Sequence, residues 1–178
     1  MRLTVGQKVA YPNQGICLVE GVKDRSVGQS SLSGYSLRVL SDNSTIFVPK
    51  ANAESVGIRP LISAPQCAEL IRRLADDFEP ADCDWKVRTK QLNQKLRSGD
   101  VFETADVFKK LTLLSHIKRL SFREQTMLEK AKFLVVSEIT NADRRDHNGI
   151  EAEVCRLVES ACVKHRRIEE KLASAAVH

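Results

Sequence analysis

The sequence predicts an α+β protein, in which a small antiparallel β unit of Tudor or SH3-like size is followed by a compact all-α helical unit. Three observations carry this reading. Up to about residue 60, apolar residues alternate in short runs broken by turn residues, the pattern of tightly joined strands. Beyond that point they recur every three or four positions, the period of a helix. Several of those helical segments also begin or end on capping residues.

The strands are expected near 7–11, 15–22, 35–40 and 44–48. Pro12-Asn13-Gln14-Gly15, the polar stretch 27–31 and Ser41-Asp42-Asn43 join them, with Gly and Asn supplying the positive φ of tight reversals. Pro49 lacks a ladder donor and closes the last strand. So small a unit is expected to leave an edge unpaired. That edge either accepts a partner strand or is covered by the helices that follow.

Helices are expected at 64–75, 84–97, 101–118, 122–141 and 149–172. Ser98-Gly99 ends the second, and Asp100 with Glu103 starts the third. Ser121-Phe122-Arg123-Glu124 is a capping box, hydroxyl and carboxylate each satisfying an orphaned backbone donor. Phe108, Leu111, Leu114 and Ile117, and then Leu128, Ala131, Val135 and Ile139, form the buried stripes of the third and fourth helices. The expected organisation is a β domain over 1–60, a helical domain over 61–165 and a charged tail over 166–178. The segment around Lys164-His165-Arg166-Arg167 is read as a frayed, solvated extension.

With 178 residues and 28 Lys plus Arg against 23 Asp plus Glu, the net charge is +5, mildly basic rather than histone-like. An apolar share of 42% beside 29% charged residues excludes a disordered tail protein and a fibrous repeat. Purely apolar runs such as Phe133-Leu134-Val135-Val136 stop at four residues, so no bilayer-spanning helix and no membrane partner are expected. No signal-like block follows Met1-Arg2, and a cytoplasmic location is expected.

The 5 cysteines contain no CxxC pair, which argues against a disulfide framework or a zinc ribbon. Cys155, Cys162 and His165 share one helical face, but structural zinc wants four ligands, so no metal is expected. Ser115-His116-Ile117-Lys118 and Ser41-Asp42-Asn43 fit two hydrolase motifs in the wrong order, and the third motif is absent. The four histidines form no triad, and no glycine-rich phosphate loop follows a strand. Catalysis and a cofactor are not expected.

Residues 86–97 hold Lys86, Arg88, Lys90, Lys95 and Arg97 without an acid, directly after the only tryptophan, Trp85. Two readings stand side by side. A large aromatic beside phosphate-binding cations suits a nucleic acid opened at a base step. Alternatively, Trp85 packs under the helix with Leu92 and Leu96 while the lysines form a solvated face. A second basic group, Lys118, Arg119 and Arg123, surrounds a helix N-terminus, where free amides favour phosphate. So few phosphate contacts give a salt-sensitive grip that needs a tether.

Taken in order, several segments resemble the CarD/CdnL family of bacterial transcription regulators. Val5-Gly6-Gln7-Lys8-Val9-Ala10-Tyr11-Pro12-Asn13-Gln14-Gly15, Ile46-Phe47-Val48-Pro49 and Val56-Gly57-Ile58-Arg59 are similar to its amino-terminal domain. Asp84-Trp85, Leu96-Arg97-Ser98-Gly99-Asp100 and Leu120-Ser121-Phe122-Arg123-Glu124 with Met127-Leu128 are similar to its helical domain. The resemblance runs over about 3–160. It implies a Tudor-like domain, shared with the transcription-repair coupling factor, that binds the RNA polymerase β subunit. It also implies a helical domain held on promoter DNA, where Trp85 wedges into the upstream fork of the bubble and stabilises the open complex.

On this resemblance Lys23, Arg25 and Phe47 belong to the polymerase-binding face, with Phe47 standing where some members have arginine. Trp85, Lys86, Arg88, Lys90 and Arg123 are the implied DNA-binding residues, and Val87 and Thr89 replace an arginine and a tyrosine. Promoter DNA would be recognised by shape and backbone, by a monomer associated with the nucleoid through RNA polymerase. The alternative is an adaptor that binds polymerase or another partner without touching DNA.

Overall fold

Tyr11 to Gly15 reverses the chain tightly, with Asn13 at φ 62° and Gly15 at φ 86°. β1 (Lys8–Tyr11) therefore pairs antiparallel with β2 (Gly15–Val27). A computed structural model describes residues 2–27, 30–143 and 146–175. β2 continues into an antiparallel pair with β3 (Ser30–Val39), which pairs in turn with β4 (Thr45–Pro49). The register slips between Val19 and Gly21, a bulge that sharpens the twist.

A two-residue β5 (Arg59–Pro60) completes the sheet, in the order β4-β3-β2-β1-β5. Its inner face buries Val9, Cys17, Val19, Tyr35, Leu37, Val39 and Val48 against Leu3, Ala53 and Ile58. The Tyr35 hydroxyl accepts a hydrogen bond from the Leu3 amide at 3.2 Å.

Two expectations change here. Of the stretch 27–31, read as a polar turn, Val27, Ser30 and Ser31 are strand and 28–29 lie outside the described residues; β2 and β3 run on beyond β1 and β4. Serine and glycine hide this from pattern reading, because a ribbon solvated on both sides has no apolar alternation to show. β5 was missed because two residues beside a proline carry no period. Its pairing of Val9 with Pro60 and Ala10 with Arg59 is a purely tertiary event.

The helices are α1 (Ala64–Ala75), α2 (Trp85–Arg97), α3 (Val101–Ile117), α4 (Phe122–Asp143) and α5 (His147–Ala175). α1 starts at Ser63, whose amide and hydroxyl both donate to Gln66 Oε1 at 2.9 and 3.0 Å. α3 is buried on most sides, including Lys109, whose ammonium donates at 2.6 Å to the carbonyls of Arg73 and Asp76 and so closes the C-terminus of α1. One apolar core joins all five helices through Leu70, Leu92, Leu111, Val135 and Val158.

The expected solvated stretch around His165 is corrected as well. His165 is buried, its Nδ1 stands 2.8 Å from Asp77 Oδ1, and its ring stacks on Phe78 at 5.4 Å. Hydrogen bonds from His165 and from the Phe78 backbone hold the Asp77 carboxyl below its ordinary range. α5 continues to Ala175, so most of the expected tail lies in a helix, and 176–178 lie outside the described residues.

The helical unit meets the sheet chiefly where α4 packs against β2. The Phe133 ring of α4 closes on Gly15, where a Cβ would come within 3.0 Å of it. Lys8 donates to Asn141 Oδ1 at 2.8 Å, and Arg59 pairs with Glu138. Among the described residues no helix is long and apolar enough to cross a membrane.

Candidate nucleic-acid interface

α2 begins where two aspartates fold the chain into a cap. Asp82 Oδ1 accepts the Asp84 amide, and Asp84 Oδ1 accepts the Lys86 amide, both at 2.8 Å. Trp85 is thereby fixed as the first helical residue, and it is 60% exposed. Of the two readings left open by the sequence, the buried one fails for a geometric reason. Helical Cβ atoms tilt toward the N-terminus, so a residue in the first position projects past the end of the helix. Leu92 and Leu96, about two and three turns inside, take the core positions.

The cation of the first turn is the largest correction. Arg88, expected to grip phosphate, is only 4% exposed. Its Nε and Nη2 donate to Glu124 Oε1 at 3.0 and 2.8 Å, and Nη1 donates to the carbonyls of Asp82 and Cys83 at 2.6 and 3.1 Å. Arg88 therefore bolts the loop that carries Trp85 to the start of α4, and it is unavailable to a backbone phosphate. Lys95 is taken up too, by Glu103 and by Asp106 at 3.0 Å. The acid-free run in sequence is in part neutralised across helices.

Glu124 is the counterpart of Arg88. It accepts the Ser121 amide at 2.9 Å and the Ser121 hydroxyl at 2.8 Å, the expected capping box. Lys118 stands 3.5 Å away. Burial pushes the Glu124 carboxyl up, but the Ser121 and Arg88 hydrogen bonds and the Lys118 charge outweigh it and hold the group down to about 2.

Lys86, Lys90, Arg119 and Arg123 are exposed, and the Lys86 ammonium lies 5.8 Å from the centre of the Trp85 ring. Phe122, the first residue of α4, is 85% exposed. Two helices tied by one buried ion pair thus each present an aromatic first residue among cations. The capping box announced where α4 starts, but nothing in the sequence marked Phe122 as uncovered. Val87 is exposed as well and widens the apolar surface beside Trp85.

The three polymerase-facing candidates come together by register. Lys23 pairs with Gly34 and Arg25 with Leu32, while Gly34 pairs with Pro49 and Ser36 with Phe47. Residues two apart share a face, so Lys23, Arg25 and Phe47 stand on the outer face of the sheet. Position 25 is set on that face by the register of its backbone, opposite Leu32. Phe47 lies over Gly34, where a Cβ would collide with its ring and stand 2.7 Å from the Val48 carbonyl. Glycine here is what lets the aromatic lie flat on the strand.

Cys155, Cys162 and His165 do not converge as a metal site: His165 turns to Asp77, and burial pushes the Cys162 thiol up to about 11.

The chain matches the family model described as CarD-like/TRCF RID domain over residues 3–62 and that described as CarD, C-terminal domain over residues 69–155. A Bacillus subtilis (strain 168) protein named "Putative transcription factor YdeB" is 24% identical over 139 residues, spanning 76% of this chain and 88% of that protein. The solution structure of the 72-residue N-terminal domain of Myxococcus xanthus CarD is 32% identical, over 33% of this chain and 79% of that one. Its TM-score of 0.29 marks an overlap too partial to bear on the fold.

Proposed function

The chain belongs to the CarD family of transcription regulators that interact with RNA polymerase, and from that premise we propose a specific action at initiation. The amino-terminal domain binds the polymerase β subunit through the outer face that carries Lys23, Arg25 and Phe47. The helical domain, tethered in this way, sets Trp85 at the upstream fork of the promoter bubble and slows its closing.

One observation carries the proposal: Trp85 stands 60% exposed at a capped helix start, beside exposed Lys86 and Lys90 and across the buried ion pair from Arg123. An exposed tryptophan costs the free protein apolar hydration and contributes nothing to its core. A partner that covers the ring recovers that cost, and an unstacked base step offers a π-face of matching shape. The cations hold backbone without reading bases, so preference follows how easily the duplex deforms. With Arg88 and Lys95 engaged internally, the remaining grip is weak and salt-sensitive, and polymerase supplies the effective concentration.

The test is the lifetime of promoter open complexes formed by the cognate RNA polymerase, with and without the protein. A longer lifetime supports the proposal. Equal lifetimes overturn it and leave the adaptor that binds without touching DNA. On the polymerase side, Arg25→Glu is expected to weaken retention of the β subunit in a pull-down severalfold, and unchanged retention removes that contact from the interface.

A further inference from the structure

We infer that α4 is a rigid strut that transmits the position of the polymerase-binding domain to Trp85, and that Arg59 and Glu138 are positioning residues for this action. The inference rests on the function proposed above.

α4 carries two buried carboxylates, Glu124 in its first turn and Glu138 near its far end, each with a side chain about 5% exposed. At 1.5 Å per residue they stand about 21 Å apart along the axis. Each is paired with an arginine from a different part of the chain.

At the far end, Arg59 of β5 forms a fork on Glu138, with Nη1–Oε1 at 2.5 Å and Nη2–Oε2 at 2.8 Å. The same guanidinium donates from Nε to the Gly99 carbonyl at 2.8 Å, and the Ile62 amide donates to Glu138 Oε1 at 3.2 Å. One ion pair thus ties the sheet edge, the turn between α2 and α3, the link into α1, and α4.

Close packing surrounds that joint. Pro12 sits between Gly57 and Gly99, at φ 79° and 76°, where Cβ atoms would come within 3.1 and 2.8 Å of its Cγ. Phe133 closes on Gly15, and Lys8 reaches Asn141. A small rotation between the domains breaks the fork before water reaches the carboxylate, so one angle is strongly preferred.

At the near end, Glu124 holds Arg88, and Arg88 holds the carbonyls of Asp82 and Cys83 that lead into Trp85. The chain of contacts runs without a gap from β5, through Glu138 and α4, to Glu124, Arg88 and the start of α2. A wedge acts only where the fork is. A domain free to swing spends only a fraction of its time correctly aimed, and its apparent strength falls by that fraction.

The experiment uses Glu138→Gln, which removes the charge while Arg59 keeps partial access to water. A second variant, Arg59→Ala with Glu138→Gln, leaves no unpaired charge if the first folds poorly. Spin labels on exposed Cys83 and on Ser33→Cys, with Cys155→Ser to silence the half-buried thiol, report the distance between the domains. The expected result is wild-type retention on polymerase, a broadened distance distribution and an open-complex lifetime shortened roughly threefold or more.

A distribution as narrow as wild type overturns the inference, and so does a broad one with an unchanged lifetime. The distance measurement needs no promoter. If the protein does not act on open complexes at all, that failure shows in the lifetimes with and without it, separately from the joint.

Discussion

Trp85→Ala is expected to remove most of the lengthening of open-complex lifetime while leaving polymerase binding and folding intact. Stacking of a base on an aromatic side chain is worth about 1–3 kcal/mol, and about 1.4 kcal/mol is tenfold in an equilibrium, so the loss should be roughly tenfold. The side chain is outside the helical core, so stability should move by no more than about 0.5 kcal/mol in either direction. Lys23, Arg25 and Phe47 lie in the other domain, so retention on polymerase should match wild type. A variant that prolongs the lifetime as well as wild type would sink the wedge. Reduced retention with an unchanged lifetime per bound complex would instead move Trp85 to the polymerase contact.

Arg88→Met is expected to produce the largest loss of stability, about 3–5 kcal/mol, because it leaves the buried Glu124 carboxylate without its guanidinium partner. Urea or thermal melts measure it. Removing both charges, as Arg88→Met with Glu124→Leu, should recover much of the loss, since apolar residues of similar size tolerate such sites well. The pH dependence carries a sign. The folded Glu124 carboxyl sits at about 2, below its ordinary value of 4.5, so its contribution is full above about pH 4.5 and disappears as pH falls toward 2. Wild type should lose stability across that window, and Arg88→Met should lose less of it. If Arg88 were a phosphate contact instead, its removal would spare stability and lower the salt slope of DNA binding by about 0.9. That outcome would reverse the assignment.

Much of this protein is legible in one dimension. Asp100 before Phe102 and Ser121 with Glu124 mark helix starts by local hydrogen bonding, and both form their bonds as expected. The order of short strands and then helices follows from the change of apolar period, because periodicity is a property of neighbours along the chain. The face that positions 23 and 25 share was not legible, because the expected strand stopped at 22 and its extension appears only in the pairing of β2 with β3.

What the tertiary structure alone decided is which charges are free. In the run from Lys86 to Arg97, sequence offers five equivalent cations, yet Arg88 is bound to an acid 36 positions away and Lys95 to two acids of α3. His165 is buried by Asp77, 88 positions earlier, and Arg59 finds Glu138 at a separation of 79. Such partners meet only after the helices have packed, so no local pattern announces them. Trp85 inverts the case, standing in phase with the buried leucines by period and exposed because the helix ends beneath it. Local rules set where elements begin and which face is apolar, whereas desolvation of a charge depends on every atom around it, and that is known only once the chain has folded.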